Sequence, residues 1–303
     1  MRVDNNFQKP KKTTLPPLVL LLRPKQWSKN LLLFAGLIFS FSITDAHLVY
    51  SSILAFVAFC LLSSSAYIIN DLFDVEEDRL HPRKKYRPIA AGAVLPKPAI
   101  FISLFLLLLS LIMAWQLNLL FLLSAISYYL LTVSYSIWLK HVVIIDILAI
   151  AFGFFIRALA GAFAVEVSIS PWFLICTLLL SLFLALAKRR QEAISLAENG
   201  KNHRKVLEHY PLAYVDQLIS IVTASTIIAY SLYTFTDSKT ELFMATIPFV
   251  VYGIFRFLYL VYKEELGESP EELLLQDKPL IITIFLWVLI SLAVMALEHG
   301  GLV

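Results

Sequence analysis

Between Lys97 and Lys140 the chain carries no charged residue. A helix that crosses a bilayer needs roughly 20 mostly apolar residues. Residues 98–139 therefore hold two such helices, with a tight reversal near Gln116-Leu117-Asn118. Membrane β-barrels show weak period-two segments instead of long apolar runs, so helices are the reading. Composition agrees: of 303 residues, 59% are hydrophobic and 16% charged. A soluble domain has about 45–50% apolar and roughly 25% charged residues. A soluble enzyme, a disordered chain and a disulfide-stapled secreted domain are excluded.

Nine helices fit the apolar runs, at 27–44, 47–70, 98–116, 118–138, 142–165, 169–188, 214–235, 241–262 and 279–297. The first is the weakest, because its apolar part, Leu31–Ile43, is short. The fold class that follows is all-α, a polytopic membrane bundle. Residues 1–26 read as a tail and interfacial segment. Residues 27–303 read as a single helical membrane domain with polar loops at 71–97 and 189–213. The positive-inside rule tests this layout. With the N-terminus in the cytosol, the tail and the loops after helices two, four, six and eight hold 22 of the 25 lysines and arginines. The opposite side holds one, Lys239, while Arg157 and Arg256 lie within helices. The polar chemistry is thus expected on the cytosolic face of the cell (inner or plasma) membrane. The basic tail has no small-residue cleavage site after an apolar core, so it reads as cytosolic and not as a signal peptide. A net charge of only +3 gives nucleic-acid binding no support. Cys60 and Cys176 lie in apolar segments and form neither a disulfide framework nor a metal pattern.

The second helix ends in Asn70-Asp71-x-x-Asp74-x-x-x-Asp78. On a continuing helix the three carboxylates share one face, within roughly 60° of arc. Like charges stacked this way repel. The arrangement becomes favourable when a divalent cation sits among them, and hard oxygen ligands suit Mg²⁺, which usually keeps waters and bridges to a substrate phosphate. Five cations follow: Arg79, Arg83, Lys84, Lys85 and Arg87. Carboxylates for a metal beside cations for phosphate oxygens form the set that holds a diphosphate. The bland reading, a solvated loop whose cations only fix topology, explains the bases but not the aspartates.

The pattern Asn70-Asp71-x-x-Asp74-x-x-x-Asp78, followed by Lys84-x-x-Arg87-Pro88, resembles the first aspartate-rich motif of the UbiA-type intramembrane prenyltransferases. That resemblance implies nine transmembrane helices and a cytosol-facing, Mg²⁺-dependent site, with Asn70, Asp71, Asp74 and Asp78 at the metal. Typical members carry a second aspartate-rich motif after helix six. Here that place reads Lys188-Arg189-Arg190-Gln191-Glu192. Fewer acids and more bases suit a ligand with more anionic groups.

This departure points to one branch. Arg23-Pro24-Lys25-Gln26-Trp27-Ser28-Lys29-Asn30 opens the first helix, and Tyr135-Ser136-x-x-Leu139-Lys140 closes the fourth. Asp146 and Gly153-Phe154-x-x-Arg157-Ala158-x-x-Gly161 lie on the fifth, Ser170-Pro171-Trp172 opens the sixth, and Lys188-Arg189-Arg190-x-Glu192 closes it. Together they are similar to the decaprenyl-phosphate phosphoribosyltransferases. The resemblance implies transfer of 5-phosphoribose from phosphoribosyl diphosphate (PRPP) to a polyprenyl phosphate, with release of diphosphate. It allows a homo-oligomer, and a product that serves cell-wall biosynthesis or another pentose-modified glycan. It makes Lys84, Arg87, Lys188 and Arg189 candidates for phosphate oxygens, and Tyr135 and Lys140 candidates for the lipid phosphate. Lys29 joins this substrate-binding set. Lys188 and Glu192 are four apart and can pair; Glu192 can otherwise orient a ribose hydroxyl. Asp146, near the cytosolic end beside Lys140, is a further candidate of the substrate-binding set. Arg157 lies about 16 Å deeper on the same helix, as a cavity residue or as a structural, carbonyl-bonded arginine. Two other readings stay open: a conventional prenyltransferase with an aromatic acceptor, which leaves the missing second motif unexplained, and a transporter or flippase, which has no need of the carboxylates.

Overall fold

The structure, a computed structural model, describes residues 16–40, 42–81, 84–168, 170–199, 210–236, 241–263 and 276–299. Most of the expected tail and the middle of the second polar loop, 200–209, lie outside the described residues. Two short helices come first, α1 (Pro17–Leu21) and α2 (Ala35–Phe39), joined through a 3-10 segment, Pro24–Phe34. The bundle proper consists of α3 (Ala46–Phe73), α5 (Pro96–Leu117), α6 (Leu119–Ile137), α7 (Ile145–Ala164), α8 (Pro171–Asn199), α9 (Leu212–Thr236), α10 (Ile247–Lys263) and α11 (Lys278–His299). A short α4 (Val75–Leu80) extends α3 beyond Asp74. Among the described residues there is no strand.

Eight helices are long and apolar enough to cross a membrane, counting α10 together with the 3-10 stretch Glu241–Thr246 before it. The expectation of nine is corrected at the first span. Residues 27–44 form no continuous helix but the 3-10 segment followed by α2. The reason is local. Pro24, Lys25, Ser28, Lys29 and Asn30 make its first half polar, and Asn30 bonds sideways to Cys60 Sγ at 3.4 Å and Ser63 Oγ at 3.3 Å. Its second half meets α7 backbone to backbone. A Cβ on Gly161 would lie 2.2 Å from the Leu33 carbonyl oxygen, so only glycine permits this approach. The sixth expected helix, ending at 188, continues as α8 to Asn199, because the charges that mark the membrane boundary do not interrupt helix propensity.

Each long helix packs on the next in the chain, with α3 and α7 the most enclosed spans. Small residues let α3 approach its neighbours closely, a common device between membrane helices. Ser65 Oγ donates to the Ser103 carbonyl of α5 at 2.9 Å. One apolar core joins the 3-10 segment to α3, α5, α6 and α7 through Leu33, Phe59, Leu62, Phe121 and Tyr128. A second joins α7 to α8, α9, α10 and α11 through Ile147, Phe183, Val215, Ile219 and Phe257. The outer faces present large apolar side chains, such as Phe101, Phe105, Leu108 and Trp115 on α5, all more than half exposed. In water such a surface would aggregate; in a bilayer it is the lipid contact of a multi-pass membrane protein. The up-down order brings Asp71 at the end of α3, Lys140 after α6, Asp146 at the start of α7 and Arg189 near the end of α8 to one end of the bundle.

Candidate active site

The aspartate motif occupies a nearly unbroken helical path. Asp74 N–H donates to the Asn70 carbonyl at 2.9 Å, and Asp78 N–H to the Asp74 carbonyl at 2.8 Å. The carboxylates thus sit on successive turns, as the spacing requires. They are not on a solvated face: Asp71, Asp74 and Asp78 are 2%, 4% and 2% exposed. Buried carboxylates need partners, and cations from distant parts of the chain supply them. Arg87 Nη1 lies 2.6 Å from Asp78 Oδ2 and 3.1 Å from Asp71 Oδ1. Arg23 pairs with the same Asp71 oxygen. Lys140 pairs with Asp74 Oδ1, and Asn70 Nδ2 donates to Asp74 Oδ2 at 2.9 Å.

Each cation is held in place by its own element. Arg87 follows a 3-10 turn, Lys84–Tyr86, in a loop pinned by the buried side chains of Ile89 and Val94. Lys84, on that turn, is partly exposed, and its N–H donates to His81 Nδ1 at 3.3 Å. Lys140 lies on a 3-10 turn after α6, Leu139–His141, and is itself buried. Arg23 adopts a left-handed backbone (φ 51, ψ 58) before Pro24, and its guanidinium lies 5.1 Å from the Tyr67 ring centre. Burial lowers the Arg23 pKa from its ordinary value, and the neighbouring Asp71 carboxylate opposes the shift.

A second polar node forms where α7, α8 and the segment before α9 meet. Tyr210 donates to Asp146 Oδ1 at 2.6 Å, and its oxygen accepts the Ile144 N–H at 2.6 Å. Burial first, and then the bond to Asp146, push the Tyr210 phenol upward. Ile144 has φ 71 and ψ −46, a strained conformation for a β-branched residue. Arg189 Nε lies 3.0 Å from Asp146 Oδ2, but its N–H is not aimed at that oxygen, so the two form an ion pair without a hydrogen bond. Arg189 also pairs with Glu192 and donates to Tyr135 Oη at 3.4 Å. Lys188 is exposed beside it, facing Glu192, Lys29, Arg189 and Tyr135.

The residues singled out from the sequence therefore fall into three groups. Asn70, Asp71, Asp74, Asp78, Arg87 and Lys140 come together, with Lys84 on the turn just before Arg87, so Lys140 meets an aspartate where the sequence suggested the lipid phosphate. Lys29, Tyr135, Asp146, Lys188, Arg189 and Glu192 form the second node. Arg157 stands apart and buried: its Nε donates to Asn30 Oδ1 at 2.8 Å, Nη2 to Tyr128 Oη at 2.6 Å and Nη1 to the Gly153 carbonyl at 3.2 Å. That is the carbonyl-bonded alternative, and it ties the 3-10 segment to α6 and α7. Sequence reasoning missed Arg23 as a partner of Asp71, and Tyr128 and Tyr210 altogether. Arg23 at least opened a motif already noted; the tyrosines offered no spacing signal.

The oxygen donors fit a hard divalent cation. Arg87 already acts as one cation serving both Asp71 and Asp78, so these two carboxylates can share a charge between them. Asp74 turns to Lys140, and among the described residues no three Asp, Glu, His or Cys side chains are gathered closely enough to hold a metal ion by themselves. Mg²⁺ does not require such a group, since it accepts waters and phosphate oxygens as its remaining ligands.

A family model for the UbiA prenyltransferases matches residues 31–288, and the chain belongs to that family. Within it, the chain is 34% identical to the decaprenyl-phosphate phosphoribosyltransferase of Mycolicibacterium smegmatis, over 92% of both chains. It is 32% identical to the protein of the same name from Corynebacterium glutamicum, over 94% of this chain and 88% of that one. Among solved structures, a UbiA homolog from Archaeoglobus fulgidus bound to DMAPP and Mg²⁺ matches with a TM-score of 0.72 at 19% identity, covering 93% of this chain and 99% of the other. That likeness establishes a shared fold.

Proposed function

We propose that the chain is a polyprenyl-phosphate phosphoribosyltransferase, moving 5-phosphoribose from PRPP to a decaprenyl-like phosphate at the cytosolic face of the membrane. The observation that carries this reading is the basic node in place of a second acidic motif. Arg189 is buried there, with Lys188 exposed beside it, in a chain that shares about a third of its residues with relatives named for this reaction. A donor with a diphosphate at one end and a phosphate at the other matches two poles: an aspartate cluster and a cluster of bases.

In this reading Asn70, Asp71, Asp74 and Asp78 would hold Mg²⁺, and the bound ion would supply positive charge for a diphosphate leaving group. Arg87 and Lys84 bind phosphate oxygens at that end. Lys188, Arg189 and Lys29 bind the phosphate at the other, and Glu192 orients a ribose hydroxyl. Tyr135 and Asp146 position Arg189. The lipid phosphate is already an anionic nucleophile, so no strong general base is required. Its oxygen attacks C1 of the ribose, the bond from C1 to the diphosphate oxygen breaks, and diphosphate leaves with the electron pair. Direct attack inverts the anomeric carbon from α to β.

Purified protein in detergent with Mg²⁺, labelled PRPP and a polyprenyl phosphate tests this. Label is expected in the organic phase, and EDTA should stop its appearance. A parallel reaction offers polyprenyl diphosphate and an aromatic acceptor. Product only in that second reaction would return the chain to conventional prenyl transfer.

A further inference from the structure

Among the described contacts, the three aspartates are matched by cations before any ligand arrives. Three buried carboxylates face three cations, Arg23, Arg87 and Lys140, so the formal charge of the set is zero. Arg87 lies between Asp71 and Asp78, the position from which one cation serves both, and Lys140 holds Asp74. A divalent ion entering alone would add two positive charges to a buried, neutral set and would have to push a guanidinium or ammonium away from its carboxylate. Displacing the buried Lys140 without a new partner is strongly unfavourable, and the partly exposed Arg87 would give up contacts to two carboxylates at once. A diphosphate removes the conflict, because its oxygens are good partners for Arg and Lys.

We propose that Arg87 and Lys140 are placeholder cations. The chain binds its divalent ion only together with a diphosphate, and the two side chains pass from Asp78 and Asp74 to diphosphate oxygens as the metal takes up the carboxylates. This rests on the reading of the aspartates as the metal–diphosphate pole, but not on which diphosphate is bound. Arg87 and Lys140 thereby acquire a second task, suppressing metal binding in the resting protein.

Equilibrium dialysis of the full chain in detergent tests this, with Mn²⁺ as the probe. Metal on the protein side is counted with Mn²⁺ alone, with inorganic diphosphate and with PRPP. Couplings between two ligands typically span about 5- to 150-fold, and here Mn²⁺ alone should bind at least ~10-fold more weakly than Mn²⁺ with PRPP. Arg87→Gln and Lys140→Met, checked by gel filtration for wild-type elution, should each strengthen the binding of Mn²⁺ alone and shrink the advantage conferred by PRPP. Wild-type protein that holds Mn²⁺ equally well without any diphosphate overturns the placeholder role and leaves the metal site standing. So do two well-folded variants that gain no affinity for Mn²⁺ alone. Protein that holds no Mn²⁺ under any condition overturns the metal reading itself. Enhancement by inorganic diphosphate but not by PRPP supports the placeholder role while removing PRPP as donor.

Discussion

At the scale of single residues, the three aspartates are distinguished by what neutralises them. Asp78 shares Arg87 with Asp71, whereas Asp74 depends on Lys140 and Asn70. Asparagine at either position keeps the shape and removes the charge. Asp74→Asn and Asp78→Asn should each lower turnover by roughly 100-fold, the scale of losing one electrostatic contact to the reacting charge, with elution from gel filtration unchanged. Wild-type rates in both would remove the metal assignment. Tyr210 supports a different expectation. Its pKa is raised in the fold, so the proton is retained there after the unfolded chain has lost it. The stabilisation is complete below the ordinary tyrosine value of about 10 and declines as pH rises above it. Thermal denaturation between pH 9 and 11 should therefore be steeper in wild type than in Tyr210→Phe. The aspartates were legible in the sequence because their spacing encodes a shared face. Their cationic partners were less so: Lys140 lies 66 residues from Asp74 and Arg23 lies 48 from Asp71, and no local pattern reports such pairings.

At the scale of elements, the membrane-crossing parts of the long helices were legible to within a few residues, because a bilayer imposes length and apolarity on each of them, whereas the extension of α8 to Asn199 beyond the apolar run was not. Nor was the 3-10 segment. Its course depends on Gly161 on α7, which permits backbone contact, and on Arg157, which reaches across to Asn30. Neither appears in a hydropathy profile of residues 27–44. Gly161→Ala would place a methyl group inside the Leu33 backbone. Overpacking of this kind costs about 1–3 kcal/mol, so the variant should melt at a visibly lower temperature. Because Lys29 and Arg23 are carried by the displaced segment, its activity should fall further than its stability. Proportionate losses of the two would mean that the segment contributes packing alone.

At the scale of the molecule, the helix order and the distribution of charge describe one polar end and one plain end. An alkaline phosphatase reporter, active only outside the cytosol, should be silent when fused after Ala91 and active after Asn118. The reverse pattern would invert the topology. Cys60 and Cys176 are both free thiols, so reductant should leave the melting temperature unchanged. The backbone strain at Ile144 and Arg23 has a bearing on engineering. Each costs on the order of 1–3 kcal/mol in a fold that must over-determine it, and each supports a polar node. A screen for heat-resistant variants, for example by consensus design or directed evolution, should therefore find Ile144→Gly and similar relaxing changes early. Those same winners should be slower catalysts, having exchanged a fixed polar framework for a more comfortable chain.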